Sequence, residues 1–318
     1  MMSLAADIGG TYSRLAWFGD GLGGPPTKQV FDNAEFDSLE AVIEKGQAEL
    51  GRGTQPVDQM VLAVPGPVQR EPVELTNINW TLHRDRLSAR FRVSELTIVN
   101  DFQAAALGAV NEPYEHLTVL NPVTPDDGPA VITGAGTGLG MAWLAQRDQK
   151  SLPHPTEGGH IDFAPNNADQ LDLYRWLAER YGHVSYERIL SGDGLVDTYR
   201  HVAGGSAQAN TPAQIAALAK QSDAHASRAV QLFVAVFGAY AGNLALAFNP
   251  SGGLYLCGGL TSHLARWFEP SAFMVAFAAK GRMADVVRRV PVYLVTRRDT
   301  GLAGAIRMAN RPAPSPWA

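Results

Sequence analysis

Short apolar runs alternate along the chain with longer stretches whose apolar residues recur at helical spacing. The runs 59–64 and 94–99 end at turn or polar residues and are typical of buried strands. The stretches 38–50 and 102–110 carry their apolar residues at positions that share one side of a helix. This β-then-α alternation predicts an α/β fold, with a mostly parallel sheet and helices on its faces.

Two strand–turn–strand units of similar design occur at 4–18 and 130–144. Each places a turn containing glycine and threonine between apolar strands, the second turn spanning 134–140. A third glycine turn, Gly258-Gly259, follows the predicted strand 253–257. Ligands of open α/β sheets bind outside the carboxyl ends of the strands, where such turns lie. The three turns together predict a phosphate site, although each one alone is also explained by an ordinary turn.

The chemistry of the first turn favours phosphate together with a metal ion. Gly9 and Gly10 lack a Cβ, so the backbone can come close to a ligand and its amides can bind an anion. Asp7 stands just before them, and a carboxylate oxygen can hold a divalent cation. None of the glycine turns matches a Walker or dinucleotide motif, so amides, hydroxyl groups and metal would have to balance the phosphate charge.

The middle of the chain is predominantly helical by its pattern. Predicted helices span 169–182, 185–190, 192–202, 212–220 and 223–248. The segment 229–248 is apolar enough to be mistaken for a membrane span, but its polar interruptions favour a buried core helix. The length of 318 residues allows two domains, and Pro113 with the proline-rich stretch 121–129 is typical of a boundary.

Composition excludes several classes of protein. Hydrophobic residues make up 46% and charged residues 18% of the chain, a balance typical of soluble globular proteins. A net charge of −5 argues against a nucleic-acid partner, which would require a basic face. Cys257 is the only cysteine, so an intrachain disulfide and a Cys-rich zinc site are excluded. With no signal peptide recognised at the N-terminus, we expect a cytoplasmic protein without a membrane partner.

Two polar segments could carry chemistry beyond the phosphate turns. Asn100-Asp101 follows the predicted strand 94–99, where the pair could cap the next helix or supply a general base. The segment 154–163 contains glutamate, histidine and aspartate around Gly158-Gly159. Its prolines and glycines disfavour a helical zinc site of His154, Glu157 and His160. A loop that hydrogen-bonds a polyhydroxylated ligand is the better interpretation. Glu187 by itself resembles an ordinary surface residue.

The order of the motifs along the chain carries a family resemblance. They are Asp7-Ile8-Gly9-Gly10-Thr11 with Arg14, Leu75-Thr76-Asn77 with Trp80, Val99-Asn100-Asp101-Phe102, Gly134 to Gly140, Glu157-Gly158-Gly159-His160 with Asp162-Phe163, Glu187-Arg188 with Leu190-Ser191-Gly192, Gly242-Asn243-Leu244-Ala245 and Gly258-Gly259-Leu260. Together they resemble bacterial glucokinase, of the type typified by the enterobacterial enzyme, in the sugar kinase–actin–heat-shock superfamily. The resemblance extends over nearly the whole chain.

The resemblance implies a two-domain actin-like ATPase (ribonuclease H-like) fold with an interdomain cleft. The expected domains are a small one of 1–111 plus 301–318 and a large one of 112–300. The implied activity is phosphorylation of the glucose 6-hydroxyl by ATP with Mg²⁺, in a homodimer. The implied site residues are Asp101 as the catalytic aspartate; Asn100, Asp101, Glu157, His160 and Glu187 for the sugar; and Ile8, Gly9, Gly10, Thr11, Tyr12, Ser13, Gly136, Thr137, Gly138, Gly258 and Gly259 for the nucleotide. The chemistry of its carboxylate makes Asp7 the candidate for the metal, through water.

Two residues depart from the family pattern. Tyr12 stands where asparagine usually follows Gly-Gly-Thr, and Thr156 stands where glycine usually precedes the Glu-Gly-Gly-His motif. Neither departure removes an expected ligand, but each could tune nucleotide affinity or the loop. Three alternatives stay open: a kinase for another hexose or for an N-acetylhexosamine, a catalytically silent sugar sensor, and an actin-type ATPase.

Overall fold

The computed structural model describes residues 2–19, 24–147, 150–268 and 272–310, and the chain forms two compact units. The first comprises residues 1–111 and 299–318, and the second comprises 112–298. The chain thus returns to the first unit at Asp299, where the sequence analysis expected 301. Residues 311–318 of that expected segment lie outside the described residues.

The N-terminal part of the first unit forms a mixed sheet. Its elements are β1 (Met2–Ile8), β2 (Tyr12–Gly19), β3 (Thr27–Asp32), α1 (Leu39–Glu49), β4 (Gln59–Val64), β5 (Val73–Glu74), β6 (Thr81–Leu82), α2 (Arg84–Phe91), β7 (Glu95–Asn100) and α3 (Asp101–Ala109). The main sheet has the order β3-β2-β1-β4-β7, in which β1, β4 and β7 are parallel and β1, β2 and β3 are antiparallel. Strands β5 and β6 pair separately.

Both faces of the central strands β1 and β4 are buried, which explains why these two strands are almost continuously apolar. Along β1, the side chains of Leu4, Ala6 and Ile8 belong to one core cluster, while Ala5 belongs to another. The alternation follows the two-residue period of a strand. The first cluster is filled by large aliphatic and aromatic side chains. The second contains mainly alanines, so helices can pack close to that face.

The second unit contains a six-stranded sheet and most of the helices. Its elements are β8 (Leu117–Asn121), β9 (Ala130–Ala135), β10 (Leu139–Arg147), β11 (Lys150–Thr156), α4 (Ala168–Tyr181), α5 (Gly192–Ala203), α6 (Pro212–Lys220), α7 (Ala224–Phe248), β12 (Gly253–Cys257), α8 (Gly259–His263), α9 (Ala272–Ala278), α10 (Ala284–Val287) and β13 (Val292–Val295). The strand order is β11-β10-β9-β12-β13-β8.

Two sequence predictions need correction here. The predicted turn 134–140 is shorter, because β9 continues to Ala135 and β10 begins at Leu139, which leaves only 136–138 between the strands. The predicted helix 185–190 is a single 3₁₀ turn, Tyr186–Arg188. Both errors arise where glycines or polar residues flank a short element, so the local pattern does not mark its ends.

Helix α7 contains the apolar segment that resembled a membrane span. In the part of the chain that the structure describes, it alone is long and apolar enough to cross a bilayer. However, 78% of its apolar window is buried inside the protein. Phe237 of α7 packs against Phe233, Phe268 and Phe273 in the core of the second unit. This environment is that of the predicted core helix.

The last described helix, α11 (Thr300–Ala309), belongs to the first unit and packs on α3. Glycines allow the two helices to approach closely. A Cβ on Gly304 would overlap the carbonyl oxygen of Ala104, and a Cβ on Gly108 would overlap that of Thr300. The small residues therefore set the distance between α3 and α11, and they place the start of α11 beside the end of β1.

Candidate functional site

In the first unit, three parallel strands end at the same edge of the sheet. Asp7 of β1 is level with Ala63 of β4, which is level with Val99 of β7, and Asn100-Asp101 follows at once. Asp7 and Val99 are separated by two strand spacings of about 4.8 Å, which puts their backbones about 10 Å apart. This edge therefore carries both the candidate metal ligand, Asp7, and the candidate base, Asp101.

The turn between β1 and β2 is closed by a backbone hydrogen bond from the Gly9 amide to the Tyr12 carbonyl oxygen, at 2.9 Å. Ile8 and Ser13 are buried strand residues on either side, and the Tyr12 side chain is 45% exposed. Among the described residues, the amides of Gly10 and Thr11 take no part in these backbone bonds. Such amides are the groups that an anion would use.

Asp7 is held beside the start of α11. A Cβ on Gly301 would lie 2.8 Å from the Asp7 carboxyl group, and the Arg14 guanidinium is 3.8 Å from that group. Burial raises the pKa of Asp7, Arg14 opposes the rise, and the carboxylate of Asp299 adds to it. A negative charge that is poorly solvated and close to a second carboxylate is suited to a cation partner. No group of three or more His, Cys, Asp or Glu residues among the described residues could hold a metal by itself.

Of the pair Asn100-Asp101, Asn100 performs the helix-capping function that the sequence left open. Asn100 caps α3: its Oδ1 accepts a hydrogen bond from the Phe102 amide at 2.9 Å, and its own amide donates to Gln103 at 3.1 Å. Its Nδ2 also donates to the Gly66 carbonyl oxygen at 3.3 Å. Asp101 is the half-buried first residue of the helix, and its Oδ1 accepts from the Phe102 amide. The start of the helix thus fixes the position of the Asp101 backbone.

In the second unit, Glu187 connects a glycine turn to a histidine. Its Oε2 accepts a hydrogen bond from the Leu139 amide at 2.9 Å, at the end of the 136–138 turn. Its Oε1 lies 3.9 Å from Nε2 of His160. The His160 and Glu187 side chains are 58% and 31% exposed, respectively. A gap of 3.9 Å between two accessible polar groups is too long for a hydrogen bond and leaves both free for a ligand hydroxyl.

The turn itself is held from both sides. The Gly136 amide donates to the Gly138 carbonyl oxygen, and the Gly192 amide at the start of α5 donates to the Gly136 carbonyl oxygen, both at 2.9 Å. Within the described residues, the amides of Thr137 and Gly138 take no part in these backbone bonds. The turn is therefore braced by the segment that carries Glu187, and it has amides left for an anion.

The loop before His160 begins at the edge of the sheet. Strand β11 carries prolines, which an edge strand tolerates, and pairs its His154 with Trp143, whose rings stack at 4.5 Å. The His154 ring therefore packs on Trp143. Among the described residues, His154, Glu157 and His160 do not belong to any group that could hold a metal ion. Glu157 is exposed at the start of a short 3₁₀ helix, Gly158–His160.

Thr156, the second departure from the family pattern, has a local function. Its Oγ1 accepts a hydrogen bond from the Gly158 amide at 3.1 Å and lies 2.7 Å from Sδ of Met141. The hydroxyl group therefore fixes the backbone on either side of Glu157.

The glycine pair after β12 lies next to the 136–138 turn, because β12 is parallel to β9 with Cys257 level with Gly134. Gly258 has a φ of +99°, and a Cβ there would lie 2.5 Å from the Ala135 carbonyl oxygen. The buried Thr261 accepts from the Ala135 amide at 3.0 Å and so joins the two turns. Sequence reasoning missed Thr261, because its hydroxyl acts across two strands that are distant in the chain.

Comparisons with known proteins identify the family of the chain. The glucokinase family profile matches residues 4–312. Glucokinase from Erwinia tasmaniensis is 37% identical over 308 residues, which cover 95% of this chain and 95% of that protein. The chain belongs to the glucokinase family. The resemblance inferred from the motifs is thus confirmed.

Solved structures extend the likeness to the fold. A glucokinase from an Antarctic psychrotroph has a TM-score of 0.83 at 30% identity, covering 97% of this chain and 98% of that chain. A ROK family glucokinase from Streptomyces griseus, in complex with glucose and AMPPNP, has a TM-score of 0.68 at 19% identity, covering 98% and 100%. At that identity it supports the fold alone. The two-domain actin-like ATPase fold is confirmed, and the chain is a sugar kinase.

The Gly242-Asn243 motif has a structural function near Glu187. Asn243 of the Gly242-Asn243 motif donates to the Tyr186 hydroxyl group at 2.9 Å and accepts from Lys280 at 2.8 Å. Tyr186 immediately precedes Glu187. The Lys280–Asn243–Tyr186 chain therefore holds the 3₁₀ turn from which the Glu187 carboxylate reaches both His160 and the glycine turn.

Proposed function

We propose that this glucokinase-family protein transfers the γ-phosphoryl group of ATP to the 6-hydroxyl of glucose. The observation that carries the proposal is the position of Glu187, whose two oxygens face His160 and the amide of Leu139. Glu187, whose carboxylate can bind sugar hydroxyls, thus also supports the 136–138 turn, whose amides can bind phosphate. A phosphotransferase acting on a polyhydroxylated substrate needs both.

On the donor side, we assign the phosphate charge to backbone amides. The turns 8–13 and 136–138 offer amides that their own hydrogen bonds leave unused, and Gly258-Gly259 supports the adenosine side. Phosphoryl transfer depends mainly on positioning and on charge neutralisation, with little covalent work by the protein. Two glycine turns fixed by hydrogen bonds serve that purpose without a lysine.

On the acceptor side, Asp101 is the proposed general base. Its carboxylate would accept the proton of the 6-hydroxyl as that oxygen forms a bond to the γ-phosphorus and the bond to the ADP oxygen breaks. The products are glucose 6-phosphate and ADP, with the proton on Asp101 released to water. A base of this kind contributes about 10²–10⁴-fold to the rate.

We assign the sugar hydroxyls to Asn100, Glu157, His160 and Glu187. Carboxylates accept from hydroxyl groups, and imidazole and amide groups can donate or accept. A site that pairs each hydroxyl strongly disfavours an analogue that lacks one, because its own polar groups would then go unpaired. The site should therefore favour glucose over its deoxy analogues.

The residues of the first unit are suited to a magnesium ion. Asp7 offers oxygen donors, its carboxylate is poorly solvated, and Asp299 adds a second negative charge nearby. Asp7 would hold the ion through water. When bound, Mg²⁺ would neutralise charge on the β- and γ-phosphates.

The test of this proposal is a coupled assay of ADP release with MgATP and a panel of glucose, mannose, fructose, N-acetylglucosamine and no sugar. We expect release that depends on glucose, and 6-phosphorylation confirmed by a glucose 6-phosphate dehydrogenase reaction. Release without sugar would instead indicate an ATPase. Glucose binding by calorimetry without release would indicate a sensor.

The same preparation tests two further expectations. We propose a homodimer. Size-exclusion chromatography coupled to multi-angle light scattering would then give twice the mass of the chain. Omitting Mg²⁺ and adding a chelator should abolish turnover, while glucose binding measured by calorimetry should remain. A cytoplasmic location also stays a proposal, to be tested by cell fractionation.

A further inference from the structure

Asn33 is a buried polar residue outside every motif discussed above. It follows β3 and is only 3% exposed. Its Nδ2 donates a hydrogen bond to the Gly9 carbonyl oxygen at 2.8 Å, and its Oδ1 accepts from the Ser13 hydroxyl at 2.7 Å. Its backbone amide donates to the Thr11 carbonyl oxygen at 2.8 Å. One residue thus makes three hydrogen bonds to the turn between β1 and β2.

These bonds act on the part of the turn that its own sequence leaves loose. Gly9 and Gly10 provide little restraint on the backbone, because glycine has many accessible conformations. The single bond from Gly9 to Tyr12 closes the turn but does not orient the peptide groups inside it. By holding the Gly9 and Thr11 carbonyl oxygens, Asn33 fixes the planes of the peptide groups that follow these two residues. The amide of Gly10 belongs to the first of those planes.

Asn33 also spans the position of the family departure. Tyr12, whose side chain is largely exposed, lies between Thr11 and Ser13, both of which bond to Asn33. The conformation of this turn therefore depends on Asn33, which follows the next-but-one strand β3 and uses both its side chain and its backbone amide.

We propose that Asn33 is a positioning residue for nucleotide phosphate, which it does not itself contact. It holds the 9–13 turn so that the Gly10 amide, whose peptide plane it fixes, is directed at the anion, and so that the Thr11 amide lies between two fixed peptide groups. The inference rests on the proposed function, since it requires this turn to be the phosphate turn. Preorganised amides are worth more to a reaction than mobile ones, because they need no reorientation as charge develops.

The decisive variant is Asn33→Asp, which keeps the size of the side chain and its acceptor for Ser13. It replaces the donor to Gly9 by an oxygen that faces the carbonyl oxygen. We expect the Kd for AMPPNP and the KM for MgATP to rise by about tenfold to a hundredfold, the range caused by small displacements of binding groups. The Kd for glucose should change by less than about twofold, since that substrate does not use the turn.

Gln29→Glu is the matched control. Gln29 also joins strands β2 and β3, with its Oε1 accepting from Trp17 at 2.8 Å and its Nε2 donating to Oε2 of Glu49 at 3.0 Å and to the Gly46 carbonyl oxygen at 3.3 Å. The same amide-to-carboxylate change there introduces the same charge and removes a similar donor, but away from the turn. It should lower Tm without a selective effect on nucleotide. Equal effects of the two variants on the Kd for AMPPNP would overturn the proposal.

Ser13→Ala keeps the inference falsifiable if Asn33→Asp does not fold. It removes one of the three bonds and little volume, so it should raise the KM for MgATP by about threefold with unchanged glucose affinity. An unchanged nucleotide KM and Kd in Ser13→Ala would contradict the proposal in that case. Calorimetry with AMPPNP separates the two levels of the argument. A wild-type protein that binds AMPPNP but fails to phosphorylate glucose refutes the proposed function alone, whereas normal AMPPNP binding by folded Asn33→Asp refutes the positioning role.

Discussion

Glu187→Gln is the substitution that most directly tests how the sugar residues and the glycine turn are connected. The glutamine has the same shape, and its carbonyl oxygen can still accept from the Leu139 amide. What it loses is the negative charge on the acceptor. If the hydrogen bond from the Leu139 amide holds the 136–138 turn in place, Glu187→Gln will change the kinetic parameters for MgATP as well as those for glucose.

The size of this effect follows from the bond itself. The Leu139 amide lies 2.9 Å from Oε2 of Glu187. A hydrogen bond to a charged group contributes about 1.5–3 kcal/mol and a neutral one about 1 kcal/mol, so the charge is worth about 1 kcal/mol or somewhat more. Glu187 is partly exposed, which favours the lower end. A loss of about 1 kcal/mol corresponds to a fall of about fivefold in kcat/KM for MgATP.

The assay is initial-rate kinetics with each substrate varied at saturation of the other. Glu187→Gln should raise the KM for glucose and also lower kcat/KM for MgATP. His160→Gln is the control, because His160 faces the sugar side of Glu187 but makes no hydrogen bond to the turn residues. It should change the glucose parameters alone. If Glu187→Gln also changes only the glucose parameters, the carboxylate–amide bond does not position the turn, and the connection argued here is wrong.

Three further outcomes are expected. Asp101→Asn should lower kcat by at least about 10² while the Kd for glucose from calorimetry changes little, and near-normal turnover would remove Asp101 from the mechanism. Burial raises the pKa of Asp7. The Asp7 carboxyl group therefore holds its proton more tightly in the folded state than in the unfolded chain, and the protein loses stability as the pH rises through the folded-state pKa. Asp7→Asn should abolish turnover. Because asparagine does not ionise, the Tm of this variant minus that of the wild type should increase from about pH 4 to about pH 7, and a Tm difference that does not change with pH would contradict the argument. Gly304→Ala should lower Tm, because overpacking against the Ala104 backbone costs about 1–3 kcal/mol and the gain in helix propensity is about 1 kcal/mol. Gly205→Ala, where a methyl group meets no atom within 4 Å, is the control and should leave Tm nearly unchanged.

The sequence predicted much of the fold where elements are long or strongly patterned. The strands 59–64 and 253–257 and the helix 212–220 have the predicted bounds. Elements without a clear pattern went unassigned. Strand β3 is a half-exposed edge strand, and α11 is a short alanine- and glycine-rich helix whose contact with α3 decides its place. Their stability comes from tertiary packing, which a local pattern does not contain.

The candidate site divides in the same way. The positions of the glycine turns, of Asn100-Asp101 and of the Glu-Gly-Gly-His segment follow from residues adjacent in the chain. Glu187 gave no local signal, and only the family resemblance selected it. Its function depends on the Leu139 amide, which is 48 residues away along the chain.

The sequence alone therefore determined the fold class, the turns that glycine makes possible, and the residue types available for phosphate and sugar, because these depend on neighbours in the chain. The tertiary structure decided which of those residues support one another. Asn33 holds the first turn from 20 residues away, Thr261 joins two turns across 126 residues, and the Asn243 side chain supports Tyr186 from 57 residues away. Hydrogen bonds of this kind require precise distances between strands and helices, and those distances exist only after the core has packed.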